Sequence, residues 1–459
     1  MKLEFLKKEE DNTRLILVFA GWSTGPEIAR GIDMPGWDVA VAYDFSSLSL
    51  DTGFLSSYYT VYLFAWSLGV YAASLTLPAH RITSAFAING TLHPVDDELG
   101  IPDAIFRGTA ENLSVRNLLK FRMRMMRDTA QWKECSRLFD CEPDDGRIEH
   151  LRNELLNILV SASSSGSEAT QKPSLQWTRA YISTGDRIFP PANMRKAWNL
   201  DPDVEQTESA GGHYTDIAEI VRNVISDPRK VSEKFARAAS TYDTHAIAQY
   251  SIALKLASKF EEICVGSISD LLEIGCGTGL FTREYSRWLR PRRATFVDIT
   301  RTGPFCIADE EKYVTEDAEK WIAAEKGEYD AIVSASCIQW FADIPRFLHE
   351  CSEHLRPGGV LALSTFLPGN MGELDEVRPT PLLYPKKNQL IEWLEHDFTD
   401  IEVTDEEIKV EFKSVREMLM HLKHTGVGGS APSSGRSMSD LAHLKSLTYR
   451  PVYITARKI

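Results

Sequence analysis

Three residues far apart in the chain have the types and the order of a serine nucleophile system: Ser67, Asp186 and His213. Ser67 lies in Ala65-Trp-Ser-Leu-Gly69, between an apolar run and a helical pattern, where a sharp turn exposes a hydroxyl. Such a hydroxyl is a weak nucleophile until a base takes its proton and an acid orients that base. His213 stands on the glycine-rich loop Ser209-Ala-Gly-Gly-His-Tyr214, outside the apolar periodicity that marks a core histidine. Asp186, in Thr184-Gly-Asp-Arg-Ile-Phe-Pro190, follows a late strand; other carboxylates on neighbouring loops could take its place. The Leu68 N–H, with a second donor near Gly21 or Trp22, would receive the oxyanion, and Trp22 would wall the acyl pocket.

A second constellation lies at Asp270-Leu-Leu-Glu-Ile-Gly-Cys-Gly-Thr-Gly-Leu-Phe-Thr282, which reads as a short strand, a tight turn and a helix start. Gly275, Gly277 and Gly279 remove the Cβ atoms that would keep a cofactor away from the backbone. A glycine turn alone is shared with dinucleotide-binding folds. Glu273, the acidic residue inside the strand end, tips the balance away from that reading.

The elements that must carry these residues alternate in type. Continuous apolar runs at Arg14–Ala20, Val39–Tyr43, Tyr59–Ala65, Ile82–Ile88 and Trp177–Ser183 predict buried parallel strands separated by helices. Between about residues 91 and 174 the strand pattern stops and helical patterns take over, as in a lid; Ser161–Ser167 reads as a flexible loop within it. After Ser226-Asp-Pro-Arg229 a new unit opens with an amphipathic helical region at Val231–Asp243. Strands come next at Asp270–Ile274, Ala294–Asp298, Tyr329–Ser334 and, led by a hairpin, Leu355–Leu363. The expected fold class is α/β with two doubly wound domains, residues 1–228 and 229–459.

The 459 residues suit two or three domains, and a formal charge of −14 argues against nucleic acid or an anionic membrane as a general partner. The acidity makes one run conspicuous: Arg116-Asn-Leu-Leu-Lys-Phe-Arg-Met-Arg-Met-Met-Arg127 has five basic residues and no acid. It reads either as a solvated helix face or, through Arg122 and Arg124, as a docking surface with Met and Phe lining an acyl channel beneath. Seven cysteines without paired spacing suggest no metal site and a reducing, cytoplasmic setting. The first ten residues lack a signal-peptide core, and Val61–Leu77, interrupted by Ser67-Leu-Gly69, reads as a buried strand and helix, so no membrane is expected.

These motifs resemble known families. Ala65–Gly69 is similar to the nucleophile elbow of α/β-hydrolases, with alanine in place of the first glycine, and the order Ser…Asp…His is theirs. Glu273-x-Gly-x-Gly-x-Gly279 resembles motif I of class I S-adenosylmethionine (SAM) methyltransferases. The resemblance implies that Glu273 and the glycines hold SAM, that Asp298 receives the ribose hydroxyls, and that Asp317, in Glu316-Asp-Ala-Glu, meets the adenine amino group. More closely, Phe235-Ala-Arg-Ala-Ala-x-x-Tyr242, Ser336-Cys-Ile-Gln-Trp340, Ser364–Leu374, Met420–Val427 and Leu447-Thr-Tyr449 together resemble the malonyl-acyl-carrier-protein O-methyltransferases of biotin synthesis. Phe19-Ala-Gly-Trp22, Trp66-Ser-Leu-Gly69 and Gly212-His-Tyr214 resemble, more loosely, pimeloyl-acyl-carrier-protein methyl esterases.

Together the resemblances imply a bifunctional enzyme with acyl carrier protein as partner, bearing malonyl or methyl-pimeloyl groups. One half would methylate the malonyl carboxylate, so that no unpaired charge enters the apolar tunnels of chain elongation. The other half would cleave the ester after elongation. A carboxylate is already ionised at neutral pH and needs no strong base, so a clamp is expected, with Tyr242, Lys423 and His424 as candidates by their place in family-like segments. Two other readings stay open: a methyltransferase for another acyl carboxylate, and a first half that serves as a general esterase or only docks the carrier.

Overall fold

The computed structural model describes residues 1–10, 12–139, 143–164, 175–264, 266–374, 382, 384–425 and 445–459. Contacts divide the chain into two compact units, Met1–Arg222 and Asn223–Ile459.

The first unit contains strands β1 (Lys2–Lys7), β2 (Arg14–Phe19), β3 (Asp38–Tyr43), β4 (Thr60–Trp66), β5 (Ser84–Ile88), β6 (Arg179–Ser183) and β7 (Glu205–Ser209). Its helices are α1 (Leu68–Thr76), α2 (Asp103–Glu111), α3 (Val115–Met125), α4 (Thr129–Cys135), α5 (Asp145–Ser164), α6 (Pro191–Trp198) and α7 (Ile217–Val224). The sheet order is β1-β3-β2-β4-β5-β6-β7, parallel except for β1. Leu15 to Phe19 and Val61 to Trp66 have almost no exposure because helices cover both faces of the central strands. The edge strands β1 and β7 are short and polar: Lys2, Glu4 and Lys7 in one, Glu205, Gln206 and Glu208 in the other. Charge on an edge protects it from pairing with another chain, and it also hides the strand from an apolar-run reading. Order reverses between β2 and β4, which opens the crevice in which open α/β sheets bind ligands.

Helices α2 to α5 form the expected lid. Ser161 to Ser164 continue α5 and are not loop, because the helical ladder runs on through small residues; the rest of that predicted loop, and residues 165–174 of the lid, lie outside the described residues. Glu154 seats α5 on the sheet by taking the Phe45 N–H at 3.2 Å. His150 Nε2 stands 3.2 Å from Asp44 and 3.3 Å from Glu154, and the Lys2 ammonium lies 2.8 Å from Asp44, so an imidazole and a lysine gather around two buried carboxyl groups. No sequence spacing announced this cluster.

The second unit contains α8 (Pro228–Ala238), α9 (Tyr242–His245), α10 (Ile247–Ile263), β8 (Asp270–Ile274), α11 (Leu280–Tyr285), β9 (Arg293–Asp298), β10 (Glu310–Thr315), α12 (Ala318–Ile322) and β11 (Tyr329–Ala335). Next come α13 (Ile344–His354), β12 (Leu355–Phe366), α14 (Lys387–Leu394), β13 (Phe398–Asp405), β14 (Ile408–Glu411), α15 (Val415–His424), β15 (Ser446–Tyr449) and β16 (Pro451–Lys458). The main sheet runs β10-β9-β8-β11-β12-β16-β13, with β16 antiparallel to both its neighbours; β14 and β15 pair separately. The expected hairpin at Leu355 is one continuous strand whose register with β11 shifts beside Gly358 and Gly359. Here the order reverses between β8 and β11. Among the described residues, no helix is long and apolar enough to cross a membrane.

Gly69 shows how closely the first crevice is packed. A Cβ there would lie 2.6 Å from the Phe19 carbonyl oxygen and 2.7 Å from that of Ala20. Gly69→Ala is therefore expected to destabilise the first unit by about 1–3 kcal/mol, since backbone must move to admit the methyl. Calorimetry of the full chain would reveal a lowered transition; an unchanged thermogram would contradict this packing.

Candidate functional site

Strand β4 delivers Ser67 to the crevice at φ 60° and ψ −128°, a conformation that costs energy in a residue with a Cβ and lifts the hydroxyl off the sheet. His213 Nε2 lies 2.9 Å from Ser67 Oγ, and His213 Nδ1 lies 2.7 Å from Asp186 Oδ2. The other Asp186 oxygen accepts the N–H groups of Ile188 and Phe189, at 2.7 and 3.0 Å, so the loop holds the carboxylate while the carboxylate holds the ring. Phe189 stacks on the imidazole, and Trp66 Nε1 and Asn89 Nδ2 both donate to the His213 carbonyl at 2.9 Å. Asn89 has no catalytic chemistry of its own. Its left-handed backbone (φ 47°) directly after β5 is a tertiary signal that the order of residue types does not carry.

The hydroxyl opens into a pocket with Trp22, Leu68, Ile105, Phe121, Met125 and Ile188 on its walls. Leu68 begins α1, so its N–H belongs to the first turn, which has no intrahelical acceptors. Trp22 is held edge-on to Phe121 and donates its indole N–H to Leu151 of α5, which ties the pocket wall to the lid. Arg124 and Arg187 also line the pocket, and both are exposed.

One expectation needs correction. Arg122 has no exposed surface: it donates to the Ser23 carbonyl at 3.2 Å and its guanidinium packs over Phe139. Helical periodicity turns it inward between exposed Met123 and Lys120, so it supports the lid from within and cannot meet a partner. Arg116, Lys120, Arg124 and Arg127 stay on the surface, Arg127 paired with Asp128 at 2.9 Å.

In the second unit the glycine turn leaves β8 at Gly275 (φ 69°) and reaches α11 through Gly277 (φ 52°) and Gly279 (φ 82°). A Cβ at Gly275 would overlap the Cys337 thiol, whereas nothing lies within 4 Å of one at Gly277: bare backbone faces open space. Asp298, at the end of β9, spans the turn. One oxygen accepts the Gly277 N–H at 2.8 Å and keeps a lone pair for a further donor, while the other takes both the Thr300 N–H and the Thr300 hydroxyl at 2.7 Å. Asp317 caps α12 through the N–H groups of Glu319 and Lys320. Glu273 is turned into the protein, where the Thr282 and Tyr285 hydroxyls donate to one of its oxygens at 2.8 and 2.6 Å. An open glycine cradle flanked by two strand-end carboxylates fits SAM, a cation with a ribose and an adenine but no phosphate.

The clamp candidates do not all converge. Tyr242 is half-buried beside Phe235; burial, then the charges of Asp243 and Asp298, push its phenol above the usual value. His424 stacks on His245 at 4.4 Å and meets the Thr241 hydroxyl at 3.1 Å, which brings α15 to α9. Lys423 points to solvent. Gly426 and Val427 of the same motif lie outside the described residues.

Comparison with known proteins agrees with this division. The family described as pimeloyl-ACP methyl esterase BioG matches residues 1–218, and a methyltransferase domain family matches residues 218–421. A malonyl-[acyl-carrier protein] O-methyltransferase of Bacteroides fragilis (strain 638R) is 32% identical, over 96% of this chain and 92% of its own length. The enzyme of the same description from Porphyromonas gingivalis is 30% identical over 50% of this chain and 96% of its own. A crystal structure of BioG from Haemophilus influenzae shares 35% identity, covering 47% of this chain and 95% of its own, with a TM-score of 0.42.

Burial raises the Glu273 carboxyl from its ordinary 4.5 to about 7, against the pull of the two hydroxyls. The folded state therefore holds a proton that the unfolded state has lost across this interval. Stability falls as pH rises from 4.5 to about 7 and is level above. Glu273→Gln keeps an acceptor for both hydroxyls and removes the titration. Its melting temperature should exceed that of wild type at pH 8 and converge with it near pH 5. Parallel melting curves across that range would refute this origin for the slope.

Proposed function

We propose, since this chain belongs to the malonyl-[acyl-carrier protein] O-methyltransferase family, that it carries two opposed activities of biotin synthesis. The second unit methylates the free carboxylate of malonyl carrier protein, and the first hydrolyses the methyl ester of pimeloyl carrier protein. The observation that carries the reading is the coexistence in one chain of the hydrogen-bonded Ser67–His213–Asp186 array with the open glycine cradle.

In the ester cleavage, Ser67 Oγ attacks the ester carbonyl and its proton passes to His213 Nε2. The developing oxyanion is received by the Leu68 N–H and a donor of the Gly21–Trp22 segment. Collapse expels methoxide, which takes the proton from His213 and leaves as methanol. Water then loses a proton to His213, attacks the acyl-serine, and frees the carboxylate as Ser67 regains its proton. Asp186 keeps the ring in place and stabilises its charged form; its buried contact with His213 suits that role.

SAM supplies an electrophilic methyl: the carboxylate-oxygen-to-carbon bond forms as the sulfur–carbon bond breaks, the electron pair leaves on sulfur, and no proton moves. Gly275, Gly277 and Gly279 would cradle it, Asp298 would hold the ribose, Asp317 would meet the adenine, and Glu273 would keep α11 against the turn. The chain has no need to generate a base, so orientation of the acceptor carries the rate.

Acyl carrier proteins present a chain on a phosphodiester-linked arm. Arg124 and Arg187, cationic and exposed at the pocket, suit the approach of such an anion.

Intact-mass analysis of methyl-pimeloyl carrier protein is the direct test. Wild type should remove the methyl, Ser67→Ala should lose at least about a thousandfold in rate, and both should methylate malonyl carrier protein from SAM equally. Demethylation by Ser67→Ala at the wild-type rate would refute the nucleophile. Arg124→Ala and Arg187→Ala should each raise KM for the carrier substrate about three- to tenfold, with small-ester hydrolysis unchanged. Equal losses on both substrates would remove the docking role.

A further inference from the structure

The second crevice holds a feature that the cofactor does not use up. Strands β8 and β11 flank the point where strand order reverses, so the glycine turn after β8 faces the turn that leaves β11. That turn is Ser336-Cys-Ile-Gln-Trp340. Ser336 leaves the strand in the left-handed region (φ 52°), Cys337 packs its thiol against Gly275, and Ile338–Trp340 form a 3₁₀ turn. The segment is pinned from within: the Ser336 N–H donates to the Ser364 carbonyl at 3.1 Å, and Gln339 Nε2 donates to the Ser336 carbonyl at 2.6 Å.

Within this pinned turn, Ser336 Oγ and Trp340 Nε1 are both buried and find no hydrogen-bond partner among the described residues. Gln339 Oε1 is also unpaired, but it is an acceptor. A buried donor without a partner is costly, and each one in a native structure calls for a group that completes it, such as a water, an ion or a ligand. The Trp340 ring meets Phe235 edge-on at 5.8 Å, and Phe235 meets Tyr242, so the indole belongs to the wall that α8 and α9 raise beside Asp298.

We infer that Ser336 Oγ–H and Trp340 Nε1–H are the donors that hold the carboxylate to be methylated, at the mouth of the glycine cradle. The inference rests on the methyl-acceptor reading proposed for this unit. The types suit the task. The acceptor carboxylate loses its charge as the methyl arrives, so a Lys or Arg clamp would stabilise the ground state more than the transition state. Two neutral donors orient the group and leave a lone pair free for attack. This also accounts for Lys423 standing in solvent. The two residues are positioning and binding groups; no proton passes through them.

The test is calorimetric titration of malonyl carrier protein into the full chain saturated with S-adenosylhomocysteine. Wild type, Trp340→Phe and Ser336→Ala are compared, with acetyl carrier protein as a ligand lacking the carboxylate. Each substitution should weaken malonyl carrier binding about tenfold, the loss of one hydrogen bond to a charged group. Acetyl carrier binding and the affinity for S-adenosylhomocysteine should stay within about twofold, because neither ligand uses these donors. Equal weakening for S-adenosylhomocysteine would assign the donors to the cofactor and overturn the clamp, as would unchanged malonyl binding. A wild type that does not prefer malonyl to acetyl carrier would instead overturn the acceptor reading, and the clamp with it. If Trp340→Phe does not fold, Ser336→Ala, which removes one oxygen, decides alone.

Discussion

Both units depend on one backbone constraint: the way a buried parallel strand must leave its sheet. After β3, β4 and β5 the next residue is Asp44, Ser67 or Asn89; after β8 and β11 it is Gly275 or Ser336. All five are in the left-handed region. Such a residue turns the chain sharply within one peptide and stops the strand at a defined height. It costs a residue with a Cβ about 1–3 kcal/mol, which the packed sheet below overcomes. The polar residues at these exits include Ser67 and Asn89 of the candidate site itself. Ser67 is presented to the pocket, Asn89 holds the His213 carbonyl, Asp44 lies 3.2 Å from His150 of the lid helix, and Ser336 begins the turn whose Cys337 packs on Gly275.

The two reactions proposed for this chain pose opposite electrostatic problems. Ester cleavage creates charge, on an oxyanion and on an imidazole, and its site is dense with fixed partners: Asp186 answers His213 and two backbone N–H groups answer Asp186. Methyl transfer to a carboxylate destroys charge. The crevice proposed for it has bare glycine backbone at Gly277, the neutral hydroxyl of Ser336 and indole of Trp340, and the Asp298 carboxylate across the glycine turn. Under the proposed reactions, fixed charge stands where one transition state would carry it and is absent where the other would not.

The lid shows the limits of charge as a guide to surface. Five basic residues in one run of an acidic chain read as a face, yet of the four that α3 carries Arg122 is turned inward. Arg122 serves the interior by packing over Phe139 and donating to Ser23, a loop residue of the β2 exit. Its guanidinium links the lid to the segment expected to supply an oxyanion donor. Arg124, two residues on, lies on the pocket.

By itself the sequence determined the two-unit organisation, the central parallel strands, the lid, the glycine cradle and the order Ser67, Asp186, His213. Each of these is written in local chemistry: apolar runs where both faces are covered, glycine where a Cβ would collide, and a serine where a strand meets a helix. The polar edge strands β1 and β7 escaped that reading, because their burial is set by neighbours and not by their own composition. Only the tertiary structure decided that Asp186 is the carboxylate that meets His213, that Arg122 is internal and Lys423 in solvent, and that His424 stacks on His245. It also decided that, among the described residues, the Ser336 hydroxyl and Trp340 indole find no hydrogen-bond partner. Distances between side chains from different strands, and hydrogen bonds left unmade, arise only when the sheet assembles; no local pattern encodes them.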